Sequence, residues 1–139
     1  MEIDTSTDFG ARAARHLEDG RVVWLSTVGP DGTPQPSPVW FLWDGDTVLI
    51  YSQPSTPKLR NIEQHPRVSL NFNCTPSGTD VVILTGDAWL DANSEPASAV
   101  PAYIDKYTAG FQDIGMTPDA FAAAYSVAIR VRPTSLRGH

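Results

Sequence analysis

The residues best suited to chemistry fall together in one stretch, Tyr51-Ser-Gln-Pro-Ser-Thr-Pro-Lys-Leu-Arg-Asn-Ile62. It leaves an apolar run, crosses a polar loop and enters a short helix. Thr56 suits a helix N-cap, and Pro57 suits the first helical position, where its missing N–H has no helical partner. The free N–H groups of such a first turn, together with the helix dipole, attract anions. Lys58 and Arg60 add positive charge, and the hydroxyls of Ser52, Ser55 and Thr56 can donate hydrogen bonds. The stretch therefore has the composition of a phosphate site. A Ser/Thr-Pro start with a lysine nearby is also a common way to begin a helix that binds nothing. The surroundings favour the anion reading: three of the chain's ten Lys and Arg residues lie between Lys58 and Arg67, in a strand-loop-helix unit flanked by further strands.

Other chemistries have less support. The histidines, His16, His65 and His139, are scattered, and no Cys/His or His/carboxylate spacing suits a metal. There is no GxSxG, no GxGxxG and no Walker A sequence. Asp44 and Asp46 flank a glycine in what reads as a hairpin turn rather than a carboxylate pair. Cys74, the single cysteine, has no obvious base beside it. No side chain is thereby assigned a catalytic role. What remains is an anion site near the aromatic run Trp40, Phe41 and Trp43, in which Trp40 and Leu42 should face opposite to Val39, Phe41 and Trp43. If the reaction is redox, a cofactor carries the chemistry and no titratable pair is required.

The chain as a whole sets bounds. Its 139 residues suit one domain. A net charge of -6 and a pI near 4.8 argue against general nucleic-acid or anionic-membrane binding. A lone cysteine fits a reducing cytoplasm, and neither a signal peptide nor a membrane-length apolar run is visible. A soluble cytoplasmic protein is expected.

The elements that must position the anion site follow in order. Asp8 to Asp19 predicts a helix, with Phe9, Ala13 and Leu17 on one stripe and Gly20 as its stop. Strands are predicted at Arg21 to Val28 and Pro34 to Trp43, separated by a Gly/Pro/Asp turn. The prolines at 34, 36 and 38 require an edge that is free, bulged or facing a ligand. Asp44-Gly-Asp46 turns into the strand Thr47 to Tyr51. A helix over 57–64 must end before Pro66. Val68, Leu70 and Phe72 alternate with polar residues as a strand, and Asp80 to Asp91 forms a long one with a bulge or bend at Gly86. A helix capped by Asn93 or Ser94 should run to about Tyr107. A short one begins at Thr117-Pro118 and reaches Tyr125, and Ser126 to Val131 is the last strand. Six mostly antiparallel strands with peripheral helices give an α+β fold built on a small barrel, which removes exposed edges; an open sheet with packed helices is the alternative.

One family shares this order of motifs. Val23-Trp-Leu-Ser-Thr27, the Gly-Pro-Asp-Gly-Thr-Pro-Gln turn, Pro38-Val-Trp-Phe-Leu42, Tyr51-Ser52, Lys58-Leu-Arg-Asn-Ile62 and His65-Pro-Arg-Val68 together resemble the pyridoxamine 5'-phosphate oxidase-like split β-barrel proteins. Within that superfamily the chain is most similar to the small actinobacterial flavin/deazaflavin oxidoreductases that use coenzyme F420. The resemblance is good from Arg21 to Leu90 and weaker in the last strand.

It implies a homodimer with cofactor sites at the subunit interface. Lys58 would match the family's phosphate-binding lysine, with Thr56, Arg60 and Asn61 beside it and Ser52 at the strand end. Ser37, Pro38, Val39 and Trp40 would match the segment lying along the cofactor's ring. The stretch from Ser94 to Tyr125 is a candidate for shaping a substrate pocket. The activity implied is hydride transfer from reduced coenzyme F420 to a small electrophilic organic substrate. FMN is the alternative cofactor, and a non-catalytic carrier is the alternative role.

Overall fold

The computed structural model describes residues 1–139. Seven antiparallel strands form one curled sheet: β1 (Val23–Val28), β2 (Pro34–Val39), β3 (Leu42–Trp43), β4 (Val48–Ser52), β5 (Arg67–Asn71), β6 (Val82–Leu90) and β7 (Val127–Gly138). Their spatial order is β2-β1-β5-β6-β7-β4-β3. The helices are α1 (Asp8–Asp19), α2 (Pro57–Gln64), α3 (Pro101–Asp113) and α4 (Pro118–Ala124), with a 3-10 turn at Ala97–Ala99. No helix is long and apolar enough to cross a membrane.

The strand expected from Pro34 to Trp43 is two strands, which makes seven rather than six. β2 and β3 are consecutive in the chain yet stand at opposite edges of the sheet. Only Trp40 and Phe41 separate them, so the sheet curls until its two edges nearly meet. The chain itself crosses the seam, which is the geometry of a split barrel. β2 pairs only with β1, and Pro34, Pro36 and Pro38 stand opposite Val28, Ser26 and Trp24. Spaced by two, the prolines share one orientation and can turn their missing donors to the free edge.

Two further expectations needed correction. The last strand runs to Gly138, well past Val131, because β6 is long enough to pair it throughout. Pro133 is tolerated there because it stands opposite Gly86, at the register shift between Thr85 and Gly86. A Cβ on Gly86 would lie 2.3 Å from the Arg132 carbonyl oxygen, so only glycine admits this approach. The other correction is α3, which starts at Pro101 and, past a kink at Tyr107 where the expected helix ends, continues to Asp113. Asn93 and Ser94 cap nothing: the Asn93 N–H and the Ser94 hydroxyl both donate to Asp91 in a turn (3.0 and 2.8 Å). Pro101 fits the first helical position, and Val100 before it takes an extended conformation, as residues preceding proline do.

The sheet separates two apolar layers. Val48 and Ile50 of β4 face the barrel interior with Leu25, Phe41, Leu70 and Ile129. Leu49 and Tyr51, alternating with them, face a second cluster with Tyr103, Tyr107, Phe111 and Phe121 of α3 and α4. β4 is accordingly buried along its whole length. Trp40 and Leu42 pack on the helical side, whereas Val39, Phe41 and Trp43 belong to the barrel side, as the alternation predicts.

The seam is held from α3. The Phe41 N–H donates to the Tyr107 hydroxyl (2.8 Å), whose own proton lies within reach of the carbonyls of Arg21 (2.7 Å) and Phe41 (3.0 Å). Lys106 Nζ donates to the same Phe41 carbonyl (2.8 Å) and sits 3.7 Å from the centre of the Phe41 ring. Side chains of α3 thus give a fully buried residue backbone bonds that no strand ladder supplies.

Burial, with Arg21 adding to it, pushes the Lys106 ammonium down from 10.5 to about 8. Between those values the unfolded chain binds the proton that the folded chain has released, so this group makes stability rise with pH from about 8 to about 10.5. In urea melts at stepped pH, the stability of wild type relative to Lys106→Met should climb through that window. Parallel curves would show that Lys106 titrates as a solvated lysine.

Candidate functional site

β4 delivers Tyr51 and Ser52 to the end of the sheet, and the chain turns through Gln53 to Thr56 into α2. Ser55 adopts a positive φ of 67°, a strained conformation for a serine. Thr56 has the extended backbone of an N-cap, but its side chain makes no capping bond. Its hydroxyl lies 3.0 Å from Ser52 Oγ instead, and Ser52 Oγ donates to the Gln53 carbonyl (2.9 Å). The hydroxyl pair thus fastens the loop to the strand end rather than capping the helix.

Beside this loop lies a cavity of about 340 Å³. Pro38, Val39 and Trp40 form one wall, and Tyr51, Ser52 and Gln53 the floor. Thr56, Lys58, Ile114, Phe121 and Tyr125 complete the lining. Lys58 is the only charged residue of the lining and takes part in none of the chain's ion pairs. Burial depresses its pKa. A half-buried cation without a counter-ion favours an incoming anion, which restores the charged form and compensates the desolvation.

The remaining lining is aromatic. Phe121 stacks on Tyr125 (4.4 Å, 12°) and on Trp40 (5.3 Å, 17°). Tyr51 donates its hydroxyl to the Glu95 carbonyl (2.7 Å), and burial raises its pKa. The cavity contains no carboxylate and no histidine, and no group of three or more His, Cys, Asp or Glu residues gathers in the fold. Its residues suit holding a planar group with an anionic arm; general acid–base chemistry has no pair here to run it.

Of the residues singled out from sequence, Pro38, Val39, Trp40, Ser52, Thr56 and Lys58 meet in this cavity. Ser37 lies one residue outside it, paired with Leu25. Arg60 is exposed and borders a separate groove with Pro54, Ser55, Glu63 and Leu90. Asn61 turns inward at 4% exposure, on the face it shares with Leu59 and Ile62. Its amide donates to Thr27 Oγ1 (3.0 Å) and Gln35 Oε1 (2.9 Å). It ties α2 to the β1–β2 hairpin instead of standing beside Lys58.

The sequence reading did not single out Tyr51, Gln53, Ile114, Phe121 or Tyr125 as site residues, although the 94–125 stretch was the candidate pocket-shaping segment and supplies three of them. Phe121 and Tyr125, four apart, carried the one usable signal, a shared helical face.

The family model for pyridoxamine 5'-phosphate oxidase matches residues 9–139. No curated protein sequence matches the chain. Among solved structures, an F420 reductase is 28% identical, with a TM-score of 0.62 over 87% of this chain and 92% of that one. A putative pyridoxamine 5'-phosphate oxidase from Listeria innocua is 22% identical, with a TM-score of 0.67 over 91% and 94%. HutZ, a heme storage protein from Vibrio cholerae, is 14% identical with a TM-score of 0.62 over 99% and 95%. The two lower identities speak for the fold alone. The family match takes in every strand and all but the first residue of α1, and this chain belongs to the pyridoxamine 5'-phosphate oxidase family.

Proposed function

We propose that the chain is a reductase that uses reduced coenzyme F420 to deliver a hydride to a small electrophilic organic substrate. The observation that carries this reading is the half-buried, uncompensated Lys58 in one cavity with Trp40, Phe121 and Tyr125. The 28% identity to an F420 reductase supports the choice of deazaflavin. When bound, the coenzyme supplies the hydride. Lys58 holds its anionic arm, with the N–H groups of the first turn of α2 beside it. Trp40, Phe121 and Tyr125 would line its ring and exclude water, with Pro38 and Val39 beside them in the lining. Ser52 and Thr56 fix the loop that leads into α2 and Lys58. The same residues would receive FMN. A carrier without turnover would bind either ring but cover its reactive face, where an enzyme leaves room for substrate.

Three outcomes are expected. Purified from a host that lacks deazaflavin, the protein is colourless, binds added coenzyme F420, and oxidises its reduced form in the presence of quinones, enones or nitroaromatics. Stoichiometric FMN after purification, with no affinity for F420, would replace the deazaflavin reading; tight F420 binding with no turnover would favour the carrier.

The Lys58→Ala variant should keep its melting temperature, because the side chain contributes little packing. It should lose roughly 10- to 100-fold in cofactor affinity, as expected for one charge-assisted hydrogen bond. An affinity and a salt dependence both equal to wild type would remove the anion from this end of the cavity.

The homodimer is likewise a proposal: the cavity opens beside Ile114, a large apolar side chain 46% exposed, and a second copy would complete the wall. Light scattering should give twice the 15.1 kDa chain mass. A monomer binding the cofactor at full strength would contradict it.

A further inference from the structure

The indole of Trp40 is confined on several sides. It lies nearly parallel to Tyr107 (4.5 Å, 6°) and stacks on Phe121 (5.3 Å, 17°), and Phe111 meets it edge-on (5.7 Å, 74°). All three neighbours are buried. The backbone cannot retreat, because the next residue, Phe41, is held through both its N–H and its carbonyl by Tyr107 and Lys106. Beneath the outer edge of the ring, α3 passes with Gly110. A Cβ at that position would stand 2.9 Å from Trp40 Cη2 and 3.0 Å from Cζ2. Both distances are shorter than carbon atoms tolerate without movement. Glycine inside a helix is unfavourable relative to alanine, so its presence in α3 calls for a packing reason, and the ring edge supplies one.

We infer that Gly110 determines the width of the cavity: it leaves the space that keeps the Trp40 indole flat against α3 and out of the ring-binding volume. This inference rests on the reading of the cavity as the site of a planar ring. α3 contributes no residue of its own to the lining yet controls one wall through Trp40, with Lys106 and Tyr107 as positioning residues. A side chain at 110 must displace either the ring edge or α3 itself. Tyr107, Phe111 and Phe121 close the packed sides of the indole, and its remaining side faces the cavity.

The test uses protein labelled with 5-fluorotryptophan and read by fluorine NMR. Of the four tryptophans, the Trp40 signal is the one lost in Trp40→Phe. In Gly110→Ala that signal should shift while those of Trp24, Trp43 and Trp89 stay. Affinity for F420 should fall about 10-fold or more, the scale of an overpacked contact, and binding of inorganic phosphate should not change. In a Trp40→Ala background, Gly110→Ala should cost no further affinity.

An unmoved Trp40 signal in folded Gly110→Ala overturns the inference, whatever the ligand does. Failure of the wild type to bind F420 or FMN would sink the functional reading but leave the NMR result decisive here. Should Gly110→Ala not fold, Trp40→Phe/Gly110→Ala should, because phenylalanine lacks the two colliding atoms. Equal destabilisation by Gly110→Ala in that background would locate the collision elsewhere and end the proposal.

Discussion

The constraint on which the structure depends is the crossing of the seam at Trp40 and Phe41. A sheet whose two edge strands are consecutive in sequence must curl until its edges nearly meet, and two residues span the gap. A residue in that position leaves the strand ladder, so its buried backbone groups need other partners. Tyr107 and Lys106 are those partners for Phe41. The clamp links three levels. It closes the barrel, it fixes α3 on the outer face of the sheet, and it sets the orientation of Trp40, whose ring faces the cavity. Barrel, helical layer and site therefore share one joint, and a change in α3 reaches the cavity without a single α3 side chain lining it.

The electrostatics follow a similar economy. The chain is acidic, and most of its ion pairs tie elements together: Arg12 and His16 join α1 to Asp80, and Arg130 joins β7 to Asp44 and Asp91. Lys58 stands outside this pattern, half-buried and without a carboxylate. Burying a charge is unfavourable unless it is paired, and the pair it lacks within the chain is what an anionic ligand brings. In an acidic protein such a site also discriminates, since the rest of the surface repels the same ligand.

Much of this was readable from sequence, because the signals were local. Thr56-Pro57 marked the start of α2 and Pro66 its end, and the alternation around Phe41 correctly divided the two layers. The three prolines of β2 called for an edge that is free, bulged or facing a ligand, and β2 is an edge strand. What could not be read depended on distant partners. Nothing local showed that 34–43 splits at Trp40, because the split follows from pairing at opposite ends of the sheet. The family resemblance put Asn61 beside Lys58, but its neighbours Leu59 and Ile62 carry it inward to Thr27 and Gln35. The last strand was expected to stop at Val131, and the bulge at Gly86, itself expected, is what lets β7 continue through Pro133. Tyr51 comes from β4, Phe121 and Tyr125 from α4 and its C-terminal end, and the two elements meet only in the folded chain.

The central claim is that one cavity, bounded by the ends of β2 and β4, the first turn of α2 and the face of α4, receives the cofactor. It is tested most directly by titrating isotopically labelled protein with coenzyme F420 while following the backbone amide spectrum. Shifts should be confined to Val39 and Trp40, the Tyr51 to Lys58 segment, and the neighbourhoods of Ile114, Phe121 and Tyr125. Perturbations centred elsewhere, as on the Arg12 and Arg15 face of α1, with these residues unmoved, would contradict it.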